Sequence, residues 1–262
     1  MTDRSIAERA SDAIAALRRS HDQLVGYVQR VGPQDLERQS GASEWTVAQV
    51  LSHLGSASEI GLNTLKAGKA DLAAAPAVWD RWNSMSAAEQ ASGFIAAGER
   101  LVEALEALDE GELATKKIDV GFLPAPVDIA FVVAMRLSEV GLHGWDVEVV
   151  FDPMASVTNV VVPYVLDSLP MFAGFFAKPI GRSGRVAVET TDPTRHYRLE
   201  LGDAGATLSE ASVGDAETFI RLPAEAFLRL TSGRLSPDHT PASATAEGEI
   251  SLDDLRRAFP GY

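Results

Sequence analysis

The spacing of apolar residues changes along this chain, and that change limits the folds it can adopt. Up to about Val150, apolar residues recur every three or four positions, as on the buried face of an amphipathic helix. One more helix is predicted at about 157–177, after which apolar and polar residues alternate, as in strands with one buried face. The pattern predicts two domains, residues 1–152 and residues 153–262.

The first domain is predicted to contain four helices joined by loops. They cover 6–31, a segment that begins at Thr46, 86–108 and 127–149. Thr46 and Gln49 form a capping box, in which each side chain satisfies a free backbone amide of the first turn. Four helices in this order indicate an up-and-down bundle. The longest connection, 69–85, contains Arg81 and is predicted to be a loop at the rim of a pocket.

The second domain is predicted to combine short strands with helices. The strand segments are separated by Gly and Asp turns and cover 185–191, 196–202, 206–212 and 217–223. A short helix is predicted to begin at Pro223 and to end at Gly233. The final segment, 248–259, is predicted to be a strand or a helix. This order indicates a small α+β domain.

Three residues on two of the predicted helices are the main candidates for a functional site. Glu139 and His143 are four residues apart, which stacks their side chains on one helix face. His53 lies about two turns into the helix that begins at Thr46. Two imidazoles and one carboxylate are an open ligand set for zinc or ferrous iron. Each residue also has a simpler interpretation, since such pairs occur on solvent-exposed faces and a lone histidine among apolar residues can belong to the core.

Other charged residues near these positions are candidates for supporting roles. Asp146 follows His143 by one turn and could accept its ring N–H, or could be an ordinary charge in the last helical turn. The spacing of Arg136 and Glu139 predicts a local ion pair. Arg81 and Arg234 are candidates for binding a carboxylate substrate, because a guanidinium can donate two hydrogen bonds to it. Arg234 would reach a cleft between the domains, with Arg81 on its other wall.

Composition excludes several classes of function. The chain has 262 residues and a net charge of −14, which disfavours nucleic acids and anionic membranes as partners. It contains no cysteine, so disulfides, cysteine zinc sites and a cysteine nucleophile are excluded. No apolar run is long enough to span a membrane, and the N-terminus lacks the apolar core of a signal peptide. A cytoplasmic location is therefore expected.

Two sequence segments resemble signatures of known proteins. The segment SEWTVAQVLSHL resembles a signature of DinB-like metal-binding bundles, and RLSEVGLHGWDVEVV resembles one of the mycothiol-dependent maleylpyruvate isomerase family. The strands and the segment LRLTSGR resemble that family's sterol-carrier-like C-terminal domain. The resemblance implies an α+β chain, in which an N-terminal DinB-like four-helix bundle precedes a small α+β sterol-carrier-like domain.

The resemblance also implies a chemistry. It implies that His53, Glu139 and His143 bind a divalent metal, with zinc as the expected ion. It also implies that mycothiol is the thiol cosubstrate in an actinobacterial cytoplasm. The thiol would add to an activated double bond of a small molecule, such as a carboxylate, and leave after rotation, which gives cis–trans isomerisation. Related members transfer the thiol to an electrophile. Two alternatives remain: a non-enzymatic module that binds a lipid or another small molecule, and a metal-dependent hydrolase.

Overall fold

The computed structural model describes residues 4–211 and 214–261. The chain divides into two compact units, Met1–Asp152 and Pro153–Tyr262. The first unit is built mainly from helices, and the second contains a five-stranded sheet with helices. The predicted α+β fold, a helical bundle followed by an α+β domain, is confirmed. None of the helices in the described ranges is long and apolar enough to cross a membrane.

Four long helices form the bundle of the first unit. They are α1 (Ile6–Val28), α2 (Val47–Ala67), α4 (Ala87–Glu106) and α6 (Ile129–Glu148). Helices α1 and α2 each contact both α4 and α6, so the four pack around one core. The predicted capping box of α2 is confirmed. The Gln49 amide donates to Thr46 Oγ1 at 3.3 Å, and the Thr46 amide donates to Gln49 Oε1 at 2.8 Å.

The predicted loop at 69–85 was wrong, because part of it forms helix α3 (Ala75–Asn83). Only Ala75 and Trp82 are buried along α3, so it lacks the repeated apolar positions that would have indicated a helix. Its main anchor is the Trp82 ring, which packs against two glycines of α2 and α4. A Cβ atom would lie 2.3 Å from this ring at Gly55 and 2.9 Å from it at Gly93. The two glycines therefore leave the space that lets α3 pack on the bundle.

The segment between α4 and α6 contains short elements that the sequence pattern did not predict. Helix α5 (Glu110–Thr115) begins with a capping box, and β1 (Lys117–Ile118) pairs with β2 (Val127–Asp128). Helix α6 was predicted to begin at 127 but begins at Ile129, because the two preceding residues belong to β2. Asp128 instead caps the helix by accepting a hydrogen bond from the Phe131 amide.

The second unit is a five-stranded sheet with helices. Its strands are β3 (Gly184–Thr191), β4 (Arg195–Gly202), β5 (Gly205–Glu210), β6 (Thr218–Pro223) and β7 (Thr245–Gly248). The strand order is β5-β4-β3-β6-β7, with β3 and β6 parallel and all other pairs antiparallel. The predicted strands are confirmed, although Ser212, at the end of one of them, lies outside the described residues.

Three α-helices accompany the sheet in the described part of the second unit. Helix α7 (Val162–Phe176) contacts β5, and α8 (Ala224–Thr231) contacts β3, β6 and α7. Helix α9 (Leu252–Ala258) contacts α8. The final segment, predicted to be a strand or a helix, therefore forms a helix, and β7 ends at its first residue, Gly248. Tyr197 of β4 and Phe227 of α8 are almost fully buried, and their rings lie 5.4 Å apart. This contact joins the sheet to α8 in the core of the second unit.

Candidate metal centre

Helices α2 and α6 bring the three predicted ligand residues together. Glu139 Oε2 lies 2.8 Å from His53 Nε2 and 3.7 Å from His143 Nε2. One ligand atom from each residue can be chosen so that all three lie within 4.8 Å of one another. The pair on α6 meets because its members are one helical turn apart, whereas His53 meets them only through the packing of α2 on α6.

The arrangement fits a small divalent metal ion. Zinc takes imidazole nitrogens and carboxylate oxygens at about 2.0–2.2 Å in a tetrahedral arrangement, which places neighbouring ligand atoms about 3.3 Å apart. The separations within this cluster lie on both sides of that value, so small side-chain rotations would bring the three atoms to a common centre. The side chains of His53 and Glu139 are 33% and 44% exposed, which leaves one side of the cluster open to water or substrate.

Glu139 is held in its charged form. Burial by itself raises the pKa of this carboxyl group. The hydrogen bond to His53 and the electrostatic interactions with His143, His53 and Arg136 outweigh burial and lower the pKa of Glu139 to about 2. A carboxylate that remains ionised at neutral pH is ready to bind a cation without first losing a proton.

Asp146 fixes the orientation of one imidazole. Its side chain has no exposed surface, and its Oδ2 atom lies 2.8 Å from His143 Nδ1. The backbone carbonyl of Asp146 also accepts a hydrogen bond of 2.7 Å from the Gly41 amide, which ties the loop before α2 to α6. The contact with Asp146 leaves Nε2 of His143 for the ligand cluster, as in carboxylate–histidine–metal arrangements.

Trp45 is a residue of the site that the sequence analysis missed. Its ring centroid lies 5.1 Å from that of His53 and 5.8 Å from that of His143, and it is nearly parallel to the second ring, at 28°. In the sequence, Trp45 stood before the N-cap of α2 and within the segment SEWTVAQVLSHL, and neither position was taken to indicate a functional role. Trp45 restricts the rotation of both imidazoles on one side of the cluster.

The predicted ion pair between Arg136 and Glu139 was wrong. Arg136 Nη2 instead donates to the Leu54 carbonyl at 2.8 Å and to Ser58 Oγ at 2.7 Å, both on α2. Glu139 faces the two imidazoles, and the arginine side chain is long enough to reach across to the neighbouring helix. Spacing within one helix could not reveal that acceptors on α2 compete for this guanidinium.

The two arginines predicted to bind substrate lie in different units. Arg81 of α3 forms an ion pair with Glu59, whose carboxylate also accepts a hydrogen bond of 3.0 Å from Trp82 Nε1. Glu59 lies on α2, six residues after His53, and was not singled out from the sequence. Arg234 follows Gly233, which has a φ of +74°, and its Nη1 donates to the Ser232 carbonyl at 3.1 Å.

Comparisons with known proteins agree with this architecture. Residues 17–148 match the family model of the mycothiol maleylpyruvate isomerase N-terminal domain, and residues 160–252 match the MDMPI C-terminal domain. No curated protein matches the chain.

Two solved structures are similar in fold over nearly the whole chain. One is the mycothiol-dependent maleylpyruvate isomerase, at 15% identity, and the other is a histidine-to-alanine mutant of a mycothiol-dependent maleylpyruvate isomerase, at 14%. Each gives a TM-score of 0.67, and each comparison covers 96% of this chain and 98% of the other. Because the first family model alone spans half of the sequence, the chain belongs to the mycothiol-dependent maleylpyruvate isomerase family.

Proposed function

We propose that this protein is a zinc- and mycothiol-dependent enzyme of the maleylpyruvate isomerase type. The observation that carries the proposal is the convergence of His53, Glu139 and His143, whose ligand atoms lie within 4.8 Å in a chain of this family. These three residues would hold the metal. When bound, a divalent metal supplies positive charge that favours the deprotonated form of a thiol.

The residues around the cluster would prepare it for that role. His53 and His143 must be neutral to act as ligands, and Asp146 supports the tautomer of His143 that presents Nε2. Trp45 covers one side of both imidazoles, and the exposed side of Glu139 leaves an approach for a small molecule. These residues bind and orient; the attacking sulfur is supplied by the cosubstrate.

The absence of cysteine supports an external thiol. In the proposed isomerisation, the thiol sulfur bonds to one carbon of an activated double bond, and the neighbouring carbon becomes a stabilised carbanion. Rotation about the resulting single bond follows, and the same carbon–sulfur bond then breaks as the double bond re-forms. The thiol is regenerated, so the reaction needs no oxidant or reductant. If the adduct is instead protonated and released, the reaction is a thiol transfer.

Arg81 and Arg234 are the proposed partners of a substrate carboxylate. Arg81 is 49% exposed, and its anchor Glu59 lies on the same helix as His53. Arg234 is half-buried in a turn that a positive-φ glycine shapes. An Arg81→Met or Arg234→Met variant should lose activity on a dicarboxylate substrate and keep its zinc content, because neither residue is a proposed ligand.

The decisive experiment combines metal analysis with a thiol-dependence assay. The purified protein should contain one zinc per chain and isomerise maleylpyruvate only when mycothiol is added. A His143→Ala variant should lose the metal and the activity, whereas His196→Ala, which removes an exposed histidine of β4, should keep both. The helical circular dichroism of both variants should match that of the unmodified protein.

The other outcomes separate the alternative functions. Turnover of an electrophile with consumption of mycothiol would identify a thiol transferase. Metal-dependent activity without added thiol would identify a hydrolase. A protein that binds no metal under any loading condition would contradict the proposed enzyme and favour a small-molecule binding module.

A further inference from the structure

We propose that Arg136 is a positioning residue that holds α2 in the register at which His53 faces Glu139. The inference rests on the proposed metal site and adds to it a residue that would not itself touch the metal or the substrate. It concerns the one ligand that reaches the cluster from a different helix.

The contacts of Arg136 lie beside the ligands on both helices. On α6, Arg136 precedes Glu139 by three residues, so the two side chains leave nearly the same face one turn apart. On α2, its Nη2 donates to the carbonyl of Leu54, the residue after His53, and to the hydroxyl of Ser58, one turn further along. One guanidinium nitrogen therefore joins the two helices beside His53 on α2 and within a turn of Glu139 on α6.

These hydrogen bonds are not needed to satisfy the groups on α2. The Ser58 hydroxyl already donates to the Leu54 carbonyl at 2.9 Å, so both acceptors keep a partner without the arginine. Within the described part of the chain, the buried Nη1 of Arg136 donates to no other residue, and no carboxylate forms an ion pair with this guanidinium. A buried cation without a paired carboxylate recovers little of its desolvation cost. Arg136 is therefore a poor stabilising residue, although it fixes the relative position of two helices.

The geometry of metal ligands makes such positioning important. A ligand set binds well only when its atoms lie within a few tenths of an ångström of their required places. Glu139 and His143 share a helix and keep their spacing without help, but His53 depends on how α2 sits against α6. A directional contact beside His53 limits sliding of α2 along α6. Buried apolar side chains, such as Leu54 of α2 and Leu137 of α6, resist this sliding less specifically.

The test measures zinc affinity and stability separately in an Arg136→Met variant. Zinc dissociation constants are determined by competition with a chromophoric chelator, and Tm is measured on the metal-free protein. We expect the zinc dissociation constant to rise at least about tenfold, as for other residues that orient metal ligands. The Tm of the metal-free protein should stay equal or rise, because a costly buried cation has been removed. A Ser58→Ala variant, which removes one acceptor, should weaken zinc binding by about two- to tenfold.

The control variant is Arg18→Met, which removes an arginine that also joins two helices. Arg18 of α1 pairs with Glu99 and Glu106 of α4, away from the ligand residues. We expect the opposite pattern, a lower Tm with unchanged zinc affinity.

Equal zinc affinity of Arg136→Met and the unmodified protein would overturn the inference and leave the proposed metal site intact. A lower Tm with a proportionate loss of zinc would also overturn it, since that pattern is general destabilisation. If the unmodified protein binds no zinc, the proposed function fails. A crystal structure of metal-free Arg136→Met then decides the inference: a His53 Nε2–Glu139 Oε2 distance still near 2.8 Å would overturn it, and a lengthened one would support it.

Discussion

Arg229 of the second unit and Arg136 of the helical unit both place a guanidinium group in the interior, but the two groups have different hydrogen-bond partners. In the second unit, Arg229 is 2% exposed and forms a two-pronged ion pair with Glu225, with both nitrogen–oxygen distances 2.8 Å. In the described part of the helical unit, Arg136 donates hydrogen bonds only to a backbone carbonyl and a hydroxyl. Both charges incur a cost of desolvation, but only Arg229 recovers it from a carboxylate.

The difference shows how each unit uses buried charge. The pair of Arg229 and Glu225 is one turn apart on α8, and the arginine also donates to the His239 carbonyl, so this pair holds the local structure together. In the helical unit, the buried carboxylate Asp146 contacts a candidate ligand and Arg136 contacts the helix that carries another. Buried charge therefore supports structure in the second unit and site geometry in the first.

The largest expected effect tests the structural half of this comparison. Replacing Glu225 with Ala leaves the Arg229 cation buried without a carboxylate, which should lower the free energy of unfolding by about 3–5 kcal/mol. Urea unfolding measures this loss, and zinc content per folded chain should not change. The matched control is the double variant Glu225→Leu with Arg229→Met, which removes both charges and should be far more stable than the single variant. Equal stability of the two variants would contradict the conclusion that Glu225 compensates the buried charge of Arg229.

A middle-sized effect is expected from Asp146. An Asp146→Asn variant keeps the size of the side chain but removes the charge that supports His143, and it should weaken zinc binding by about 10- to 100-fold. Chelator competition measures the affinity. A control variant, Asp238→Asn, changes an exposed aspartate of the second unit and should leave zinc affinity unchanged. Unaltered affinity in Asp146→Asn would mean that this buried charge is structural, as in the second unit.

The smallest expected effect concerns the ionisation of the Glu139 carboxyl group. The pKa of Glu139 is lowered from 4.5 to about 2, so its ionisation stabilises the folded state above pH 4.5 and this stabilisation is lost as the pH falls towards 2. At a pH of about 6, zinc binding should therefore displace no proton from Glu139.

The pH dependence of the Glu139 carboxyl carbon chemical shift, measured by NMR on the metal-free protein, checks this prediction. The chemical shift should keep its ionised value from neutral pH down to about pH 4, because the pKa is lowered to about 2. A transition centred near pH 4.5 would contradict the lowered pKa.

Most of the candidate site could be predicted because its signals are local. The spacing of Glu139 and His143, the capping box that places His53 on α2, and the turn between His143 and Asp146 all lie within single helices. Local backbone geometry fixes such relationships before any tertiary contact forms. Four strands of the second unit were predicted from an equally local signal, and burial alternates most clearly along β4 and β6.

The missed features share a different property. Helix α3 depends on Trp82 packing between Gly55 and Gly93, which are 38 residues apart in the sequence. Trp45 contacts His143 across almost a hundred residues, and Arg81 finds its partner Glu59 on another helix. No periodicity within one segment carries this information.

The sequence by itself determined which residue types are available and on which helices they lie: two imidazoles, one carboxylate and no thiol. The tertiary structure decided that these side chains meet, that Trp45 covers them, and that Arg136 turns from Glu139 to α2. The physical reason is that the direction of a side chain within a helix follows from backbone geometry. The choice among competing partners on neighbouring helices follows from packing and from the cost of leaving polar atoms unsatisfied, which only the assembled bundle settles.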